Sequence, residues 1–164
     1  MQYIDEQCYL NLFTVVFYDE ETDTKTVFYH ENGILDMCHD YGNGKFLFNP
    51  IKIHVVLDNG EEINAVLGFG DGYTETVFSF VNSVNTTDGG THVAGLRNGI
   101  TSSINRLIKD KGLQLDGELI RQGLTAILSL RIYSPEFESQ RTTQLTNKEY
   151  RGIISREIKN VLDK

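Results

Sequence analysis

Between Pro50 and Val81 the chain is written with a period of two. Ile51, Ile53, Val55 and Leu57 alternate with Lys52, His54, Val56 and Asp58, the pattern of a strand with one face buried. Asn59-Gly60 follows. Both residues tolerate positive φ in a type I′ turn, which predicts a hairpin to a partner strand over Glu61 to Phe69. Gly68, Gly70 and Gly72 are expected to break that partner as a bulge or sharp bend. Thr74 to Val81 reads as a further strand, with Val77 and Ser79 alternating against Phe78 and Phe80. A half-buried hairpin needs a second layer to cover it.

The second half of the chain supplies that layer. Leu96, Ile100, Ile104, Leu107 and Ile108 form one helical stripe, capped by Thr91 and ended near Lys111 by Gly112. Asp116 caps a short helical turn through Gln122. Leu124 to Tyr133 reads as a strand with Leu124, Ala126, Leu128, Leu130 and Ile132 on one face. Thr146 or Asn147 caps a last helix with the stripe Tyr150, Ile153, Ile154, Ile158, Val161 and Leu162. That stripe is still running at Lys164, so the helix is expected to continue past it. In the first half, Cys8 to Tyr18 reads as β, residues 19–23 as a polar loop, and Thr26 to His30 as the returning strand. Ile34 to Tyr41 carries helical spacing. Strands followed by helices against one sheet predict an α+β, two-layer fold over a single domain, 1–164.

The 164 residues suit one domain with its own core. No apolar run approaches the ~20 residues of a membrane helix. Met1 to Glu6 is acidic where a signal peptide would be basic and then apolar. Cys8 and Cys38 have no metal or disulfide spacing, which points to reduced thiols and a cytoplasmic protein. The net charge of −8 hides an asymmetry. Residues 1–90 hold 3 Lys and Arg against 15 Asp and Glu, a net of −12, whereas residues 91–164 hold 12 against 8, a net of +4. The basic residues can gather on a surface that meets phosphates, or stay scattered on a solvated face.

Asp88-Gly89-Gly90-Thr91-His92 leads into a helix. Helix N-termini attract anions, but no Lys follows with Walker spacing, and a turn with an N-cap accounts for the segment. His30, His39 and His54 are scattered and suggest no metal site. Residues 134–147 form a long connection, which is often functional. Gln140 and Arg141 there can donate to a phosphate.

Four stretches together carry a family likeness. Residues 80–95, Phe-Val-Asn-Ser-Val-Asn-Thr-Thr-Asp-Gly-Gly-Thr-His-Val-Ala-Gly, resemble the F-V-N-x-x-N-T-x-x-G-G-T-H-x-x-G segment shared by the B subunits of DNA gyrase and topoisomerase IV. Residues 121–128, Arg-Gln-Gly-Leu-Thr-Ala-Ile-Leu, resemble R-E-G-L-T-A-x-x. Residues 135–147, Pro-Glu-Phe-Glu-Ser-Gln-Arg-Thr-Thr-Gln-Leu-Thr-Asn, resemble P-x-F-E-G-Q-T-K-x-K-L-x-N. Val27 to Ile34 is similar to F-x-Y-x-G-G-I.

The resemblance implies the transducer domain of a type II DNA topoisomerase B subunit, with a ribosomal-S5-domain-2-like fold, a mostly antiparallel sheet and helices on one face. In that family ATP, with Mg²⁺, is held by a preceding ATPase domain and closes two B subunits around DNA. The transducer relays the nucleotide state to the cleavage core formed with the A subunit. Nothing here resembles the ATPase domain's Mg²⁺-binding Asn or the acidic motif of the topoisomerase-primase domain. The chain by itself is expected to be non-catalytic, without bound cofactor, and monomeric.

The family's nucleotide contact from this domain is the Q-T-K loop. Gln140 matches its Gln, Arg141 stands at the Thr and Thr142 at the Lys, with Gln144 at the next family Lys. Three accounts follow: Arg141 replaces the Lys, the parent hydrolyses ATP weakly or uses binding alone, or the parent is a divergent relative. A non-catalytic binding module that kept the fold and lost the ATP-sensing Lys is the alternative function. Arg97, Arg106, Arg151, Arg156 and Lys159 are the candidates for contacting DNA phosphates, which carry no sequence information.

Overall fold

The computed structural model describes residues 1–164 except Asn43, Ser139 and Arg141. In chain order the first half contains α1 (Gln2–Asn11), β1 (Val15–Asp19), β2 (Thr24–Phe28), α2 (Ile34–Tyr41), β3 (Ile51–Val56), β4 (Glu62–Phe69), β5 (Thr76–Val81), β6 (Val84–Asn85) and β7 (Gly89–Gly90). The second half contains α3 (Thr91–Ile108), α4 (Gly117–Ile120), β8 (Leu124–Arg131), β9 (Gln144–Leu145) and α5 (Glu149–Leu162).

The main sheet has the order β3-β4-β8-β5-β6. All its pairs are antiparallel except β5–β8. Those two parallel strands are joined through α3, because a parallel pair needs a crossover. Leu124 to Leu130 are buried on both faces of β8, which places that strand in the middle of the sheet. On one face Ile63, Ala65, Leu67, Leu124, Ala126, Leu128 and Leu130 meet Leu96 and Ile100 of α3 and Ile154 and Ile158 of α5. Each such buried side chain contributes roughly 1.5–3 kcal/mol. This is the predicted α+β arrangement, a mostly antiparallel sheet under a helical layer. In addition, Met37 and Cys38 of α2 and Tyr9 of α1 cover Val66, Phe80 and Ile127 on the opposite face.

Helices α3 and α5 run parallel. Gly95 faces Arg151 and Ile154, Gly99 faces Ser155 and Ile158, and Arg106 pairs with Asp163 at 2.8 Å near both C-termini. The two glycines, four apart, let the backbones approach where any larger residue would hold them apart. Cys8 and Cys38 are free and buried, and burial pushes the Cys38 thiol up to about 11. Among the described residues no helix is long and apolar enough to cross a membrane.

Four local readings need correction. Residues 8–11 are helical, not β: only Ile4 among residues 2–11 is β-branched, and Leu12 closes α1 in the left-handed region with its N–H on the Cys8 carbonyl. Tertiary partners complete that helix. Tyr9 stacks on His30 and donates to Asp40 at 2.5 Å, while Asp5 holds His30 at 2.6 Å.

The β3–β4 turn is not type I′. Gly60 alone takes positive φ there, at 84°, and its N–H bonds the Leu57 carbonyl. That is a three-residue loop ending in a left-handed glycine. The two-residue turn with both central residues at positive φ lies instead at Asn82 (50°) and Ser83 (66°), between β5 and β6. It contains no glycine, and the fold holds it from outside. The Asn82 carboxamide donates to the Ile132 carbonyl and accepts the Ile132 N–H, both at 2.9 Å. Gly68 is neither bulge nor bend, since β4 stays in register with β8 through Phe69. The Phe46 ring lies over Gly68, where a Cβ would come within 2.5 Å of it. Finally, Thr91 is the first helical residue of α3 rather than its cap, and Lys148, not Thr146 or Asn147, precedes α5.

Candidate functional site

The glycine-rich segment and the long connection are separate in the sequence, but the fold joins them. Gly89 and Gly90 pair in parallel with Gln144 and Leu145, and the Asp88 N–H bonds the Thr143 carbonyl at 2.9 Å. Gly90, at φ 131°, lies directly on the Leu145 backbone, and a Cβ would collide with the Leu145 carbonyl oxygen and nitrogen. The start of α3 is therefore covered by β9.

His92 anchors this corner from below. It is fully buried, and burial lowers its pKa to about 4, so the ring is neutral near pH 7. Its Nε2 lies 3.0 Å from Thr86 Oγ1. The Thr86 hydroxyl already donates to the Ser79 carbonyl at 2.9 Å, so the imidazole donates from Nε2. Nδ1 finds no partner among the described residues. A neutral ring spent on a threonine inside the protein positions the helix start. It has no access to a reacting proton.

The described residues of the 134–147 connection are tied by more hydrogen bonds than its composition suggests. Asn147 closes its base, accepting the Glu136 N–H at 2.7 Å and donating to the Ser134 carbonyl at 3.2 Å. This is the work Asn147 does in place of capping α5. Above it, Thr146 N–H bonds the Glu136 carbonyl and Glu138 N–H bonds the Gln144 carbonyl, a short antiparallel ladder. Gln140 lies exposed in the turn at its tip. Thr142 is half-buried with φ 54°. Gln144 belongs to β9. Arg141 lies outside the described residues.

The five proposed DNA contacts are spread over α3 and α5, and all are exposed. Most have protein partners. Glu75 Oε1 accepts from Arg97 at 2.8 Å and from Arg121 at 3.1 Å. Arg106 pairs with Asp163, and Arg156 with Glu157 at 2.7 Å. Arg151 faces the Asn98 carboxamide, whose oxygen accepts from Nε at 3.1 Å once the amide is turned to suit it. Because α3 and α5 are parallel, Arg106 and Lys159 also lie toward the negative ends of two helix dipoles.

Sequence reading missed one residue that organises this region. Glu61 is only 6% exposed. Burial acts to raise its pKa, but hydrogen bonds from Asn59, the Tyr133 N–H and Tyr150 outweigh that and hold the carboxyl below its usual range. A signal was present: residue 61 shares parity with Ile63, Ala65 and Leu67, all core-facing.

An α+β unit of this topology matches solved gyrase B structures over nearly its whole length. The 43K ATPase domain of Thermus thermophilus gyrase B, in complex with an aminocoumarin, aligns with 99% of this chain and 44% of its own at a TM-score of 0.81 and 23% identity. The gyrase B-subunit of Myxococcus xanthus aligns with 99% of this chain and 53% of its own at 0.84 and 20%. These define the class of fold, that of the solved gyrase B structures. The DNA gyrase B family model matches residues 16–164, and the chain belongs to that family. It is 35% identical to the DNA gyrase B protein of Clostridium acetobutylicum over 83% of this chain, and 34% identical to that of Archaeoglobus fulgidus over 93%. It spans only 23% and 25% of those relatives' lengths.

Proposed function

We propose that this chain is the transducer domain of a type II topoisomerase B subunit. It couples ATP binding and hydrolysis in an adjacent ATPase domain to DNA strand passage in the cytoplasm. The observation carrying this reading is the anchored 134–147 connection. The positions matching the family's nucleotide-contact motif, Gln140 and Thr142, stand at the tip of a ladder that is tied at one side to the start of α3 and closed at its base by Asn147, which also donates to Glu149 of α5. A segment held that way passes a displacement to both helices. In this reading ATP and Mg²⁺ are held by the neighbouring domain, and this chain contributes no catalytic residue. A second B subunit, an A subunit and DNA are the partners, with Arg97, Arg106, Arg151, Arg156 and Lys159 facing phosphate. The uncovered residues Val16, Tyr18, Val27 and Tyr29 of the β1–β2 hairpin, each more than half exposed, support a neighbouring domain packing there.

Neither Thr142 nor Gln144 supplies a cation, so Arg141 takes the role of the family Lys. The absence of a Lys at those two positions favours one second reading, a binding module that no longer senses ATP. The reading frame on both sides of residues 1–164 separates the two. An ATPase domain before and a topoisomerase-primase domain after support coupling, whereas stop codons at both ends overturn it. In the protein so encoded, Gln140→Ala and Arg141→Ala each lower ATP turnover by ~10²–10³, the usual loss for one donor to a reacting oxyanion. Unchanged turnover in both refutes the role.

A further inference from the structure

Glu61 stands in the β3–β4 turn, far in sequence from the 134–147 connection, yet its carboxylate binds both ends of it. Oε1 accepts the N–H of Tyr133, the second residue after β8, at 3.1 Å. Oε2 accepts the hydroxyl of Tyr150, in the first turn of α5, at 2.7 Å. Both Glu61 and Tyr150 are buried. One charged group thus closes the excursion like a clasp, outside the inner closure made by Asn147. The distal part is held separately, by β7 against β9 and by Asp88 on Thr143. The connection therefore has two independent attachments, one to the start of α3 and one to the start of α5.

We infer that Glu61 and Tyr150 form a hinge clasp that transmits movement of the 134–147 connection to α5. Displacing the connection must either break a hydrogen bond to a buried carboxylate or carry the first turn of α5 with it. Breaking the bond is costly, because hydrogen bonds to charged groups are about twice as strong as neutral ones and the Glu61 side chain is largely buried. A displacement that leaves this bond intact carries the first turn of α5 with it. Gln140 and Thr142 are thereby coupled to the start of α5. Glu61 acts as a positioning residue and touches no ligand.

The inference rests on the proposed function for its biological meaning, but hydrogen exchange of the intact chain tests it without nucleotide. Tyr150→Phe removes one hydroxyl and keeps the ring in the core. Glu61→Gln keeps an acceptor for Tyr133 N–H and loses the charge. Both variants should speed exchange at Glu138 and Thr146 roughly tenfold or more, with β4 and β8 unchanged. Equal acceleration in β4 and β8 would mean plain loss of stability and would overturn the hinge, as would an unchanged loop.

Coupling is read by a second comparison. Gly90→Ala unseats β9, and in the otherwise native chain it should speed exchange across Ile153–Arg156. In Tyr150→Phe that effect should fall at least by half, whereas strict additivity overturns the clasp. Failure here leaves the ATP-turnover reading standing, and failure of that reading leaves the clasp standing.

Discussion

Gly99→Ala and Gly152→Ala add the same methyl group to two helices that pack on each other. Each replacement gains about 1 kcal/mol of helix propensity. Their surroundings differ. A Cβ at Gly152 meets nothing within 4 Å, so Gly152→Ala should raise stability by about that 1 kcal/mol. A Cβ at Gly99 would stand 2.8 Å from Ile158 Cβ, 2.9 Å from its Cγ2 and 3.0 Å from the Ser155 carbonyl oxygen. Ile158 is fully buried and β-branched, so these atoms cannot rotate away, and α3 and α5 must part. Overpacking of this kind costs about 1–3 kcal/mol. Since the propensity gain is common to both variants, their difference isolates the interface term. Urea unfolding measures it: with m near about 2 kcal/mol/M, each kcal/mol shifts the midpoint by roughly 0.5 M. Gly152→Ala should unfold later than the parent, and Gly99→Ala earlier than Gly152→Ala by roughly 0.5–1.5 M. Midpoints within about 0.2 M of each other, or in the reverse order, would refute close helix contact at Gly99.

Three further outcomes follow from the same geometry. His92 titrates near 4 in the fold against about 6.5 unfolded. The unfolded chain therefore takes up the proton first as pH falls, and about 2 kcal/mol of stability is lost between pH 7 and 5; His92→Phe should flatten that slope in urea titrations, and an unchanged slope would remove His92 as its source. Gly90→Ala forces a Cβ onto the Leu145 backbone at a φ that L-residues rarely adopt, so it should cost more than about 2 kcal/mol and lose the Leu145 amide's protection in NMR exchange. Asn82→Ala loses both bonds to Ile132 and keeps a left-handed φ, a cost of about 2 kcal/mol; Asn82→Gly loses the same bonds but relieves the φ and should cost less in thermal unfolding, and the opposite ranking would show that the left-handed φ carries no strain here.

What sequence alone determined is local. The period of two over β3 and β4, the apolar run of β8 and the stripes of α3 and α5 were legible because each reflects which face of a regular element meets the core. The α+β class followed from the change of period near residue 90. The family likeness was legible in the literal text, including the positions of Gln140 and Thr142.

Tertiary structure decided what depends on distant partners. Residues 2–11 are weakly patterned, and His30 and Asp40 helped make them a helix. The glycine-free turn at Asn82–Ser83 exists because Ile132, fifty residues away, satisfies the asparagine. Gly68 is needed for the Phe46 ring above it, and no β-bulge rule could show that. Above all, Glu61 reads as one more acid beside a turn. Only the fold brings Tyr133 and Tyr150, 72 and 89 residues distant, to its two oxygens. Periodicity encodes a face within one element. A hydrogen bond between elements depends on their relative placement, which the packed core sets.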